Sequence, residues 1–235
     1  GYVVVENVPG VLRRKKESGL ETFIQWLKED GYVVHFEIHN TNDFGVPQNR
    51  RRFTLIASRV GNQEVVPKIC SDKLNVSDVI GEANGFPKVE AGHVDNSSFK
   101  HSVAKITPKT LKRLKKIKKN GGDRLGFADD PELQLPCFVG KDNSFKDTFG
   151  RLWWDKPSPT ITTKFFSVSN GRFVHPEENR ALSLREGATL QSFPKSFEFH
   201  GTSMEAIARQ IGNAVPPEYS RRIALAIIEN SNGKL

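Results

Sequence analysis

The chain has 235 residues, 37% apolar and 26% charged, enough for one large domain or two modest ones with a core. Its formal net charge of +8 suits a polyanionic partner, nucleic acid first, whereas an anionic membrane surface lacks a strongly amphipathic helix with aromatic anchors to receive it. Two cysteines, Cys70 and Cys137, exclude a disulfide framework and an all-cysteine zinc site, so a reducing compartment is the default; no apolar run approaches the ~18 residues of a membrane span, and the start lacks the basic flank and cleavage site of a signal peptide.

Tyr2 to Val5 is a short apolar, β-branched run without polar alternation. That pattern predicts a strand buried on both faces, as in a parallel sheet. Glu6 and Asn7 follow at once, and Val8-Pro9-Gly10 turns the chain. Ligands of open α/β sheets bind outside the carboxyl ends of strands, so Glu6 stands either where chemistry is done or simply as a solvated strand end. The chain begins inside this strand without a methionine, which predicts a piece of a longer polypeptide or one subunit of a split one. Arg13 to Lys16 is a basic run read as a solvated loop, with phosphate contact as the alternative.

Leu20, Phe23, Ile24 and Leu27 recur at helical spacing, with Trp26 adding apolar content, and Glu29-Asp30-Gly31 ends that helix. Tyr32–Ile38 and Phe53–Ala57 read as strands. Strand, helix, strand, strand predicts the tail of a mostly parallel α/β sheet with room for one antiparallel strand. Between the last two strands lies Gln48-Asn49-Arg50-Arg51-Arg52. Side-chain alternation places Arg50 and Arg52 on one face and Arg51 on the other. Two guanidiniums beside Gln48 suit a phosphate or a planar polar base edge; the alternative is a basic strand start that pairs with nearby acids.

Residues 60–150 are rich in Gly, Asn, Asp, Lys and Pro and show one clear helix. Thr107 caps it, Pro108 takes its first position, Leu111, Leu114 and Ile117 form a thin apolar stripe, and Asn120-Gly121-Gly122 stops it. Lys109, Lys112, Arg113, Lys115, Lys116, Lys118 and Lys119 cover the rest with no acid among them. Intrahelical ion pairs therefore do not explain these charges; a phosphate backbone or a merely solvated face does.

Trp153-Trp154 followed by Pro157-Ser158-Pro159-Thr160 reads as an ordered, extended segment packed on a core. Ser183-x-x-Glu186 is a capping box opening a helix to Gln191, closed by Phe193-Pro194. Thr202-x-x-Glu205 opens another, closed at Gly212. Pro217 starts a last helix in which Ile223, Ala224, Ile227 and Ile228 can face a core. No internal repeat is visible.

Taken together, Glu6-Asn7-Val8, Gln48-x-Arg50-x-Arg52, Arg151 with Pro157-Ser158-Pro159-Thr160, Arg180-x-Leu-Ser-x-Arg185-Glu186 with Leu190-Gln191-x-Phe193-Pro194, and Gln210-Ile-Gly212-Asn213-Ala-Val215-Pro216 resemble, in order and spacing, the C-terminal portion of bacterial DNA (cytosine-5) methyltransferases. Each motif alone is weak to moderate, and their order across almost the whole chain is strong. The family's glycine-rich cofactor loop and the Pro-Cys motif bearing its nucleophile are absent from this sequence; both would lie before residue 1. Pro136-Cys137 lies after the Glu-Asn-Val motif, in the variable region, and Cys137 is read as structural. Alone, the chain is expected to be inactive.

The resemblance implies an α/β fold: a partial Rossmann-like methyltransferase sheet in residues 1–60, a smaller irregular target-recognition domain in 61–200, and C-terminal helices in 201–235 returning to the catalytic domain. It implies transfer of a methyl group from S-adenosylmethionine to C5 of a flipped cytosine after a thiolate adds to C6. Glu6 would protonate or hydrogen-bond N3, Arg52 would hold O2 with Arg50 and Gln48 orienting the site, and Asn7 would fix the turn. Asn213 and Val215 would meet the methionine part of the cofactor, although Gly212-Asn213 also reads as a helix C-cap. The basic helix at 108–119, with Lys112, Arg113, Lys115, Lys116 and Lys119, is the candidate for phosphate contact. Arg124 and the loops 121–150 and 165–172 are candidates for base reading. The implied partners are double-stranded DNA and a missing N-terminal catalytic portion, on the same polypeptide or a second subunit; no metal is implied, and the setting is the bacterial cytoplasm at the nucleoid. The rival readings are a recognition subunit without chemistry of its own and a general basic nucleic-acid-binding protein.

Overall fold

A computed structural model describes residues 1–13 and 17–231; Arg14 to Lys16 of the basic run lie outside the described residues. The chain divides into two compact units, one of Gly1–Lys73 with Val215–Leu235 and one of Leu74–Ala214. The expected boundaries near 60 and 200 shift accordingly. The two C-terminal helices belong to different units, so residues 201–235 do not return as one piece.

In the first unit, β1 (Tyr2–Asn7) and β2 (Val33–Asn40) flank β4 (Arg51–Ser58) in a three-stranded sheet. Both pair antiparallel with β4, Glu6 opposite Thr54 and His39 opposite Arg52. β4 is thus the one antiparallel strand for which the sequence left room, although the neighbour that β1 pairs with here is antiparallel and not parallel. The link 41–50 holds only a 3-10 turn at Thr41–Phe44 and the two-residue strand β3 (Gln48–Asn49). A parallel return needs a crossover of about a dozen residues or more, so β2 folds back as a hairpin. Helix α1 (Leu20–Glu29) does supply such a crossover, and β1 and β2 accordingly run in the same direction. The strand buried along its length is β4, from Phe53 to Ser58, whereas β1 is half-buried with Val4 45% exposed.

Alternation divides the sheet into two faces. Val3, Val5, Val34, Phe53, Leu55 and Ala57 pack under Leu20 and Leu27 of α1. Burying each leucine contributes roughly 2 kcal/mol. The helix ends in a Schellman turn: Tyr32 N–H donates to Leu27 O at 2.9 Å and Gly31 N–H to Lys28 O at 3.1 Å, with Gly31 at φ +79°. On the other face Ile56 and Tyr2 meet Phe44, Val46, Val65 and helix α5 (Pro217–Ser231) through Tyr219, Ile223 and Ala226. The buried stripe of α5 follows those residues, so Ala224 and Ile228, expected in the core, are exposed.

The second unit has little regular structure: α2 (Pro108–Lys116), the two-residue strand β5 (Ser158–Pro159), α3 (Leu184–Leu190), α4 (Met204–Asn213) and 3-10 turns. Helix α2 stops short of the expected residue 119, because Ile117 takes an extended ψ of 126°. The Ser183–Glu186 capping box opens α3 as expected. Helix α4 is capped by Ser203, whose hydroxyl accepts from Ala206 N–H at 3.2 Å, rather than by Thr202. Gln191, fully buried, donates its amide to Ile211 O at 2.7 Å and so ties the end of α3 to α4. Gly212 is helical, not a C-cap. A Cβ there would lie 2.5 Å from the Thr162–Thr163 backbone, and this close approach requires glycine. Among the described residues, no helix is long and apolar enough to cross a membrane.

Candidate active site

Glu6 lies near the carboxyl end of β1, and cross-strand register puts it on the same sheet face as Thr54, Glu37, Arg52 and His39. Arg52 Nε stands 2.8 Å from Glu6 Oε1, with the side chains 13% and 22% exposed. The N–H is not aimed at that oxygen, which is buried and takes no directed hydrogen bond from any described residue. Arg52 instead donates Nη1–H to Arg51 O at 2.8 Å. Arg50 is buried, and burial pushes its guanidinium down to about 10, with Arg52 adding to the shift and Glu6 opposing it. It remains charged at neutral pH. A carboxyl and two guanidiniums therefore converge, while Arg51 is exposed.

The loop leading into β4 is held by its own polar groups. Thr41 donates its hydroxyl to Gln48 O at 3.1 Å, and Arg50 N–H donates to Asn40 Oδ1 at 3.0 Å. Gln48 is fully buried. Asn7 Oδ1 accepts from Val8 N–H at 2.8 Å, which fixes the start of the turn after β1. Such an array can meet the edge of a planar heterocycle that offers a ring nitrogen beside a carbonyl oxygen.

Asn213 is exposed at the end of α4, and Val215 is half-buried against the Phe44–Tyr219 core of the first unit. In the second unit, Lys109, Lys112 and Lys115 are exposed. A groove of about 540 Å³ is lined by Lys109 and Lys112, and one of about 1010 Å³ by Lys88, His93 and Lys115. Two arginines expected at the nucleic-acid surface are not there. Arg113 is buried, donates Nε–H to Leu133 O at 2.6 Å and stacks over Phe127 and Phe149. Arg124 is 2% exposed and donates to the carbonyls of Lys141, Ser144 and Phe145, so it braces that loop from inside. In both cases a long apolar stem is buried and the guanidinium donates to backbone carbonyls. Lys116 pairs with Asp130 at 2.8 Å and Lys119 donates to Asn179 Oδ1 at 3.3 Å, so part of the charge on this segment has protein partners from beyond the helix. Cys137 is exposed in the 3-10 turn Pro136–Phe138, and Cys70 is half-buried.

Two polar clusters were not legible as clusters in the sequence, although Arg180 and Glu186 stand in one of its motifs. Arg180 grips Glu186 through Nη1 and Nη2 at 2.7 and 2.8 Å and Glu178 through Nε and Nη2 at 3.0 and 2.9 Å. Burial pushes the Glu186 carboxyl up, but Arg180 more than offsets this and holds it well below the carboxylate range. His175, Glu178 and Glu186 have ligand atoms within 4.8 Å of one another, yet the cation they surround is the Arg180 guanidinium. The second cluster joins His39, Tyr219 and Thr54, and Thr54 is the register partner of Glu6. Its one trace in the sequence is the alternation His35-x-Glu37-x-His39 along β2.

The profile of the C-5 cytosine-specific DNA methylase family matches residues 1–229, and the chain belongs to that family. Among its relatives, the type II methylase M.HgiDII of Herpetosiphon aurantiacus is 36% identical over 232 residues, covering 96% of this chain and 64% of its own length. The type II methyltransferase M1.BsuMI of Bacillus subtilis is 32% identical over 225 residues, covering 95% and 50%. The chain thus spans between half and two thirds of the length of these relatives. Among solved structures, a prophage-encoded E. coli protein described as a DNA modification methyltransferase superposes with TM-score 0.71 at 18% identity, over 98% of this chain and 70% of that one. The Dnmt2 methyltransferase of S. pombe gives 0.55 at 17% identity, over 97% and 65%. At such identities the likeness is one of fold, and it places this chain in a methyltransferase architecture.

Proposed function

We propose that the polypeptide carrying this chain methylates C5 of a flipped cytosine in a specific sequence of double-stranded DNA, and that this chain forms its C-terminal portion. On this reading the first unit is the tail of a Rossmann-like catalytic domain and the second unit recognises the target. The observation that carries the reading is the convergence of Glu6 and Arg52, 2.8 Å apart, with one buried carboxyl oxygen lacking a directed hydrogen bond.

Cytosine resists attack at C6 because negative charge builds on its ring. The Glu6 carboxyl delivers a proton to N3 and so removes that cost. Arg52 holds O2 with planar donors, and the Arg50 charge behind it favours the polarised ring. Gln48 and Asn7 keep the two strand ends in place. The nucleophile and the glycine-rich loop come from the remainder of the enzyme; Cys137, exposed in an irregular turn of the second unit, takes no part. S-adenosylmethionine supplies the methyl group when bound. Asn213, exposed at the end of α4, is a candidate for a polar contact with the methionine end of that cofactor, and Val215, half-buried in the first unit, is a separate candidate for an apolar one. Lys112 and Lys115 contact phosphates.

The test is Glu6→Gln in the full-length polypeptide. Loss of general acid help lowers turnover by roughly 10²–10⁴, while DNA binding stays nearly intact. Unchanged turnover rejects the acid role. Because the chain covers only part of its relatives, a second reading is the recognition subunit of a two-chain enzyme. A start codon immediately upstream in the gene, and methyl transfer only after a second polypeptide is added, favour it. Sequence-independent binding without methyl transfer when cofactor is supplied returns the plain nucleic-acid-binding reading.

A further inference from the structure

Beyond the 3-10 turn Pro136–Phe138, residues 139–147 of the second unit are all exposed, yet the loop they form is held from below. Arg124 donates Nη2–H to the carbonyls of Lys141 and Ser144 and Nε–H to Phe145 O, and its guanidinium lies 4.7 Å from the centre of the Phe138 ring. Lys141 N–H donates to Phe138 O and Ser144 N–H to Lys141 O, both at 3.0 Å, and Thr148 N–H donates to Phe145 O at 3.2 Å. On this braced loop Phe145 stands at φ +55° with 62% of its surface exposed. A bulky side chain rarely takes that backbone conformation. Phe149, four residues on, takes it too, at φ +59°, but Phe149 is buried: its ring meets Phe127 edge-on at 5.5 Å and lies under Arg113. Burial offsets the backbone cost there. Phe145 has the same backbone and the opposite exposure; its one ring contact among the described residues is Phe138, at 6.3 Å. Val139, 60% exposed, is a second large apolar side chain on the same loop.

The surroundings of the loop say what covers it. Leu114 and Ile117, at the end of the basic helix α2, share one core cluster with Phe127 and Phe149, so the loop hangs from the packing that carries the lysines. Phe149 N–H donates to Val168 O at 2.9 Å, which brings the 165–172 loop alongside. Lys141 and Lys146 are exposed on the loop itself. Asp147 is held by Arg172 at 2.8 Å, which leaves Asp142 as the loop's one acid without an ion pair among the described residues. An exposed aromatic ring with cations on either side matches a stack of bases between two phosphate strands.

We propose that Phe145 is an aromatic wedge that stacks on a base of the target duplex, with Lys146 on a flanking phosphate. Arg124 is a positioning residue: it stays inside the unit and holds the loop that presents the ring. The wedge meets the face of a base and not its edge, so it adds affinity without choosing the sequence. The inference rests on the reading of the second unit as the part that recognises DNA.

The experiment measures Kd for a target duplex, and its salt dependence, with the full-length polypeptide. Phe145→Ala weakens binding roughly tenfold, the worth of one base–aromatic stack. Its melting temperature and salt slope stay those of the wild type, because the ring is exposed and uncharged. Phe145→Trp binds as the wild type does, and the fluorescence it adds is quenched when the duplex is bound. Lys146→Gln instead lowers the salt slope by about 1. Wild-type affinity in Phe145→Ala overturns the wedge, and so does an added tryptophan whose emission is the same with and without DNA. A Phe145→Ala polypeptide that binds DNA normally but no longer self-associates in sedimentation also overturns it, and makes the loop an interface between copies. Two results separate the wedge from the readings above. If Glu6→Gln abolishes turnover while Phe145→Ala binds as the wild type, only the wedge fails; if Glu6→Gln leaves turnover unchanged while Phe145→Ala binds tenfold more weakly, the acid role fails and the wedge stands. A wild-type polypeptide that does not bind the duplex rejects the recognition reading and the wedge with it.

Discussion

His175 is a buried imidazole that the fold keeps uncharged, and its protonation can be weighed. Nδ1 accepts from the backbone N–H of Glu177 at 3.2 Å and of Glu178 at 3.0 Å, so the hydrogen sits on Nε2, 3.2 Å from Glu178 Oε1. Adding a proton at Nδ1 breaks both backbone bonds. Burial pushes the imidazole down from 6.5 to about 4, with Glu186 pulling the other way. Since the folded value is the lower one, the unfolded chain binds the proton first, and stability is lost as pH falls from 6.5 toward 4. Those two values imply a loss of about 2 kcal/mol between neutrality and one unit above the folded value. Glu186 acts in a lower window, below its ordinary 4.5, so a comparison of mildly acid with neutral solution isolates histidine. His39 acts in the same direction, and a variant separates the two. His175→Asn keeps an acceptor for the two N–H groups but does not titrate. Urea unfolding followed by tryptophan fluorescence, which Trp153 and Trp154 report, should show the acid loss shrinking by about 2 kcal/mol in the variant. An equal loss in both proteins refutes the reasoning.

Two further outcomes follow from the second unit. Glu186→Gln leaves Arg180 buried with Glu178 as its remaining carboxylate, and thermal melting should report a cost of about 3–5 kcal/mol. Lys112→Gln with Lys115→Gln should weaken binding to all DNA sequences and flatten the salt slope by about 2, whereas Arg113→Leu should cost about 1–3 kcal/mol of stability and leave the salt slope unchanged. A salt slope that moves with Arg113 and not with the lysines reverses this assignment.

Local chemistry was legible from sequence wherever a short segment satisfies itself. The Ser183–Glu186 capping box, the Thr107–Pro108 helix start and the stop at Gly31 each need only a few neighbours in the chain, and each formed as read. Glu6, Asn7, Gln48, Arg50 and Arg52 stood out because polar groups cluster beside apolar strands, and family membership follows from their order. What stayed hidden depended on partners distant in sequence. Arg113 looks the same as the surface lysines of its basic run, and Arg124 the same as a charged loop residue; only the packing of Phe127, Phe149 and the 141–145 carbonyls shows that they face inward. The stripe of α5 shifted to Tyr219 and Ala226 because the sheet beneath it, not helical period alone, selects which residues are covered.

The sequence by itself determined the elements, the family and the acidic and basic residues at the strand ends, since these follow from side chains a few positions apart. Strand direction, the burial of β4 over β1 and the hydroxyl–imidazole chain of Thr54, Tyr219 and His39 were decided only by tertiary structure. A hydrogen bond joining Tyr219 to His39 and Thr54 brings together groups that chain spacing does not relate, and only the packing of α5 on the sheet makes them neighbours.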